Sequence, residues 1–230
     1  MFGRSPEGTY RWIPWDAYPW LEHGFGTRHA PSDLSRFTTL RQIHSAIVLD
    51  AGALPGCLGE GDALVTAEPG GCIGVKTADC VPVLVIDRRQ RVVASVHAGW
   101  RGTVQRIAWR TARHLIEGYG SRASDLEAVI GPGIAGCCFE VGPEVAVQFT
   151  SLLPDRTDLD GRTRIDLAEV NRTQLLEAGL PASQVQGCGM CTVCQVEDFH
   201  SYRRDREHAG RMISYIGLKK ENGRERWFAP

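Results

Sequence analysis

The run Ser95-Val96-His97-Ala98-Gly99-Trp100-Arg101-Gly102 holds the residue types for chemistry. A β-favouring stretch leads into His97, then two glycines around a tryptophan and an arginine interrupt the pattern. An imidazole at a strand end can move a proton or ligate a metal. Glycines beside it admit close approach by backbone or ligand, and Arg101 offers a forked guanidinium suited to phosphate.

A partner for His97 is expected from the preceding run. Val81-Pro82-Val83-Leu84-Val85-Ile86 and Val92-Val93-Ala94-Ser95-Val96 flank Asp87-Arg88-Arg89-Gln90, the pattern of an antiparallel hairpin buried on both faces. Pro82 places that end at a strand start or an edge. With Arg88-Arg89 as the loop, Asp87 faces Gln90 and Cys80 falls directly opposite His97, with Cβ atoms roughly 4.5–5.5 Å apart. A thiol and an imidazole so placed can share an ion, or the imidazole can take the thiol proton. Lys76, within Lys76-Thr77-Ala78-Asp79-Cys80, adds a cation that favours the thiolate. His44, in Arg41-Gln42-Ile43-His44, is a third candidate. Two imidazoles and one thiolate suit zinc and leave a fourth position for water or substrate. Taken singly, each has a plainer reading: His44 as a hydrogen-bonded histidine and Cys80 as a small buried residue.

These side chains need a framework. Apolar residues recur at helical spacing from Thr103 to Tyr119, and Gly118 or Gly120 can end that helix. Leu126 to Ile130 reads as a strand stopped by Gly131-Pro132-Gly133. Asp166-Leu167-Ala168-Glu169 has the form of a reciprocal N-cap, opening a helix that runs to Gly179. Val185 to Met190 and Met212 to Leu218 are further strands, residues 151–164 a polar loop, and 219–230 a charged tail. Hairpins mixed with helices imply an α/β (α+β) fold, a layered sandwich with mixed sheets and helices outside.

The chain has 230 residues, 43% hydrophobic and 23% charged, which suits one domain over 1–230. A net charge of −1 gives no whole-molecule attraction to nucleic acid or anionic membrane. The absence of a long apolar segment or an export signal leads to the expectation of a cytoplasmic protein with its eight cysteines reduced. Cys191-Thr192-Val193-Cys194 is a CxxC with Cys188 nearby. A closed four-thiolate site would have to recruit Cys137 and Cys138. The pair is instead read as reduced and structural, and Cys137-Cys138 as packed after the Gly-Pro-Gly turn.

Five motifs occur together in order: Arg41-Gln42-Ile43-His44, Gly61-Asp62-Ala63-Leu64-Val65-Thr66, Thr77-Ala78-Asp79-Cys80-Val81-Pro82, His97-Ala98-Gly99-Trp100-Arg101-Gly102 and Ser201-Tyr202-Arg203-Arg204-Asp205. In this the chain resembles the YfiH-like laccase-domain family, whose members are labelled polyphenol oxidases, purine nucleoside phosphorylases and peptidoglycan editing factors. The resemblance extends from about residue 20 to 218. It departs after Gly26-Thr27-Arg28, where His29-Ala30-Pro31 replaces the usual glycine-rich stretch.

The resemblance implies a metal site of His44, Cys80 and His97; its mixed donor set suits Zn2+, and the oxidase label leaves Cu2+ as the alternative. It also implies phosphorolysis of adenosine, inosine and 5′-methylthioadenosine, with adenosine deamination in the same pocket. The expected partners are therefore small purine nucleosides and phosphate. Phosphorolysis needs an anion site, for which Gly99, Gly102, the N-terminus of the helix from Thr103, and Arg101 are candidates. Arg203 and Arg204, in a basic segment, and Gln42 complete the substrate-binding set. Asp79 or Asp62 would shuttle protons, and Trp100 could stack on a purine. Two rival enzymes remain. A multicopper oxidase needs several imidazole-rich sites, against seven histidines and no His-x-His here. A peptidoglycan-precursor hydrolase would use Cys80 as nucleophile and His97 as base. A non-catalytic module with a structural zinc would need a fourth ligand beside the three.

Overall fold

In a computed structural model, which describes residues 1–31 and 33–220, two mixed β-sheets lie face to face and helices cover the outer side of one. The six-stranded sheet has the spatial order Val185–Gly187, Leu126–Ile130, Val81–Asp87, Val92–Ala98, Ala63–Thr66, Val48–Asp50. The hairpin strands are central, which explains their unbroken apolar runs. Val83 and Val85 pack toward the helices Ile107–Tyr119 and Leu167–Glu177, while Leu84 and Ile86 face the second sheet. That sheet runs Phe2–Arg4, Tyr10–Trp12, Leu21–Phe25, Met212–Leu218, Cys72–Thr77, Thr38–Arg41, Gly56–Glu60. Leu21, Phe25, Leu40, Ile73 and Ile216 close the layer between the sheets.

The expected hairpin register is wrong by two residues. Asp87 pairs with Val92, and His97 with Pro82. Asp87 sets this loop: its Oδ1 accepts from the N–H groups of Arg89 (2.7 Å) and Gln90 (2.9 Å), and its carbonyl from Arg91 (3.0 Å). That four-residue loop, with Arg91 at φ 53°, replaces the two-residue turn. Pro82 sits at a strand start, as expected, not at an edge.

The helix expected from Thr103 is two helices, Trp100–Val104 and Ile107–Tyr119, broken by Arg106 in the left-handed region. The break is where the helix Leu167–Glu177 takes hold: Gln174 donates to the Thr103 carbonyl (2.7 Å) and Asn171 to its hydroxyl (2.9 Å). Gly120, at φ 69°, ends the longer helix. Asp166 caps as expected, accepting from Glu169 N (3.1 Å), but the Glu169 carboxylate meets Arg172. The strand expected over 185–190 stops at Gly187, two residues before Gly189 at φ 67°. The loop 151–164 ends in the short strand Thr163–Arg164. Of the charged tail, residues 221–230 lie outside the described residues. No helix among the described residues is long and apolar enough to cross a membrane.

The two sheets exchange chain at two crossings that matter for function. Residues 42–47 pass from Thr38–Arg41 in one sheet to Val48–Asp50 in the other, and 78–80 pass from Cys72–Thr77 to Val81–Asp87. His44 lies on the first crossing and Cys80 on the second. Both need backbone that strands do not supply: His44 has φ 58° and Asp79 φ 85°.

Candidate active site

At these crossings the potential ligand atoms of His44, Cys80 and His97 all lie within 4.8 Å of one another. Cys80 Sγ is 4.0 Å from His44 Nε2, and the two imidazole rings are 5.1 Å apart at 66°. Cys80 is not directly across the ladder from His97; it sits one residue ahead of its strand.

Two glycines make this convergence possible. A Cβ on Gly99 would lie 3.0 Å from both Cys80 Sγ and His44 Cδ2, although its backbone (φ −72°, ψ 168°) suits any residue. Gly99 is glycine for space. A Cβ on Gly102 would come within 2.8 Å of the Ser45 carbonyl, so this glycine seats the loop that carries His44. Gly102 is buried and does not line the cleft, and the helix it belongs to has only five residues. Gly102 thus packs against the loop of His44 instead of facing the cleft.

Asp62 joins two of the three candidate ligands. Its Oδ1 contacts His97 Nδ1 (2.8 Å) and accepts from His44 N (3.0 Å); its Oδ2 accepts from Ser45 N (2.6 Å) and Ser45 Oγ (2.7 Å). The carboxylate is fully buried, which opposes its charge, yet the bonds to His97 and Ser45 win and hold it at about 2. It lies behind His97, where its bond to Nδ1 orients the ring and leaves Nε2 toward the site. Burial also penalises charge on His97 and Cys80, but each stabilises the other. The Cys80 thiol is lowered to about 6 by the two histidines, and His97 is raised to about 9 by Cys80 and Asp62.

The triad lies in a cleft of about 720 Å³, a size suited to a small ligand. Arg41, Lys76, Arg101, Arg203, Arg206 and Arg211 supply its cations, and Ile134, Phe139, Leu167 and Tyr202 its apolar wall. Asp79 is the one acid among the described lining residues, and both its oxygens are committed. Oδ1 accepts from Thr192 Oγ1 (2.6 Å) and Oδ2 from the Arg203 backbone N–H (2.6 Å). Those two bonds tie the turn before Cys80 to Thr192 and Arg203.

Of the predicted substrate contacts, Arg101, Arg203, Gln42 and Trp100 line the cleft. Arg101 lies over the Trp100 ring at 4.3 Å, and Arg203 donates to the Glu140 carbonyl (2.9 Å). The Gln42 amide is paired with the Lys76 backbone in both directions (2.8 Å each), so it ties one crossing to the strand that leads into the other. Arg204 does not reach the cleft. It binds Asp205 and the carbonyls of Thr192, Val193 and Phe199. Arg41, Arg206, Arg211, Phe139 and Tyr202 were not anticipated as site residues. Arg41 and Tyr202 stood inside quoted motifs, and the density of basic residues after 200 was the signal for the other arginines.

The model of the multi-copper polyphenol oxidoreductase laccase family matches residues 27–219. The chain belongs to that laccase family. Within it, a purine nucleoside phosphorylase of Deinococcus radiodurans is 44% identical over 190 residues, covering 81% of this chain and 72% of that protein. A purine nucleoside phosphorylase of Bacteroides thetaiotaomicron is 41% identical, covering 69% of this chain and 61% of that protein. An adenosine deaminase from an unknown prokaryotic organism is 37% identical, covering 81% and 77%. The laccase-family fold extends to the crystal structure of YlmD from Geobacillus stearothermophilus, with a TM-score of 0.87, 27% identity and coverage of 96% of this chain and 99% of that one.

Proposed function

We propose that the cleft binds a purine nucleoside together with phosphate and catalyses phosphorolysis of adenosine, inosine and 5′-methylthioadenosine, with adenosine deamination at the same centre. The observation that carries this reading is the coincidence of an open-sided donor set, two imidazole nitrogens and one sulfur, with a cleft lined by six cationic side chains, of which Arg41 is also paired with Glu60. Such a donor set suits Zn2+, and the space that Gly99 leaves beside His44 and Cys80 fits three side chains converging on one ion. Bound there, zinc would supply positive charge that polarises an oxygen in the site.

The protein's own groups do the remaining work. In phosphorolysis a phosphate oxygen bonds C1′ of the ribose as the C1′–N9 bond breaks, and the purine leaves with the electron pair and takes up a proton. Arg101 and Arg203 offer forked guanidinium groups to hold phosphate against that carbon. Phe139 and Tyr202 provide flat apolar surface for the base, and Ile134 and Leu167 exclude water beside it. Asp79 positions Arg203 through the backbone, and Asp62 positions His97. Relatives named purine nucleoside phosphorylase and adenosine deaminase favour this reading over phenol oxidation and over hydrolysis of a cell-wall precursor.

The test is product analysis of purified protein with adenosine, with and without phosphate, beside His97→Ala. Adenine and ribose 1-phosphate are expected only with phosphate, and inosine in either condition. Both should fall with metal content and return with added zinc. Full turnover by metal-free His97→Ala overturns the proposal, and inhibition of the wild type by stoichiometric zinc points to a Cys80 nucleophile instead.

A further inference from the structure

A second set of metal-ligating side chains lies outside the cleft. Where a structural pair at Cys191 and Cys194 was expected, the fold brings Cys137 and Cys138 to the same place, and all four sulfurs lie within 4.8 Å of one another. We infer that Cys137, Cys138, Cys191 and Cys194 form a closed four-thiolate site for Zn2+, separate from the His44–Cys80–His97 centre.

The spacing matches such an ion. A tetrahedral zinc with Zn–S bonds of about 2.3 Å requires sulfurs about 3.8 Å apart. The separations here are 3.6 Å for Cys137–Cys138, 3.8 Å for Cys137–Cys194 and 3.4 Å for Cys138–Cys194. All are far longer than the roughly 2.05 Å of a disulfide. The two segments are joined independently of any ion, by the bridge between Gly133 and Cys191 and by Thr192 N donating to the Gly133 carbonyl (3.0 Å).

Two arginines brace the loops that carry these cysteines. Four thiolates around a divalent ion leave a net charge of about −2. Arg203 donates to the Glu140 carbonyl on the Cys138 side, and Arg204 to the Thr192 and Val193 carbonyls between Cys191 and Cys194 (3.0 and 3.1 Å). The Arg204 guanidinium is also paired with Asp205 (2.7 and 2.8 Å), so it holds the Cys191–Cys194 loop by hydrogen bonds rather than by charge. Cys137 and Cys194 are exposed, so an ion can enter from solvent. With four protein ligands there is no open position, and the site is structural. It would staple the wall of the cleft: Ile134 and Phe139 flank the first cysteine pair, and Thr192, inside the second, bonds Asp79.

The experiment is metal analysis of three full-length proteins grown with added zinc. Wild type should hold about two zinc ions per chain, the variant His44→Ala/Cys80→Ser/His97→Ala about one, and that variant with Cys138→Ser/Cys194→Ser none. Since cysteine variants can misfold, the triple variant alone is also loaded with Co2+. Intense thiolate-to-cobalt charge transfer with tetrahedral d–d bands is the expected spectrum. A folded triple variant that takes up neither zinc nor cobalt overturns the inference. So does a disulfide among these cysteines found by thiol counting and mass spectrometry of the protein as isolated, or iron in place of zinc.

Discussion

Asp62 Oδ1 sits 2.8 Å from His97 Nδ1 while the same carboxylate collects the backbone N–H groups of His44 and Ser45. One buried side chain therefore sets the position of two candidate ligands that are 53 residues apart in sequence. Asp62→Asn would present an amide donor to groups that are themselves donors. Metal affinity at the triad is expected to fall about 10- to 100-fold, with a matching loss of kcat/KM. Competition with a chromophoric chelator reads the affinity, and unchanged zinc binding would remove Asp62 from the site.

Gly99→Ala isolates the effect of crowding. The backbone there is ordinary, so the fold should tolerate alanine, while the new methyl presses on Cys80 and His44 at 3.0 Å. We expect activity and triad zinc to drop at least about tenfold with little change in Tm, because a displacement of a few tenths of an ångström suffices to spoil ligand geometry. An active, zinc-loaded Gly99→Ala protein would show that the pocket has slack the packing does not suggest.

Arg101 and Arg204 should separate cleanly, although both are arginines within the motifs that carry the family resemblance. Arg101→Ala is expected to raise the KM for phosphate about tenfold or more at unchanged stability. Arg204→Ala removes hydrogen bonds to three carbonyls and a carboxylate and should cost about 2–3 kcal/mol in chemical denaturation. The reverse pattern would exchange their roles.

His23 gives the fold a pH dependence unconnected with the site. It is 2% exposed, its Nε2 accepts from the Trp12 N–H (3.0 Å), and burial, with a lesser push from Arg11, lowers its pKa to about 4. The folded chain holds this ring neutral while the unfolded chain binds a proton near pH 6.5. Its contribution is thus complete above about pH 6.5 and is lost as pH falls toward 4, by at most about 3 kcal/mol. Urea midpoints at pH 7 and 4.5 should converge in His23→Gln relative to wild type; equal slopes in both proteins would refute the assignment.

The unbroken apolarity of the two hairpin strands, the caps at Asp166 and Gly120, and the strands Leu126–Ile130 and Met212–Leu218 were legible because each depends on neighbours in the chain. The candidates His44, Cys80 and His97 could be named from residue type and motif. Tertiary structure decided what spacing could not. The hairpin register followed from the Asp87 side chain capping its own loop. The groups that Asp62 and Asp79 bond, at His97, Thr192 and Arg203, come from distant elements. The meeting of Cys137-Cys138 with Cys191 and Cys194, more than fifty residues on, depends on a bridge at Gly133 that no local pattern announces. Local sequence determines periodicity and caps; which buried polar groups find one another is settled only when the two sheets close.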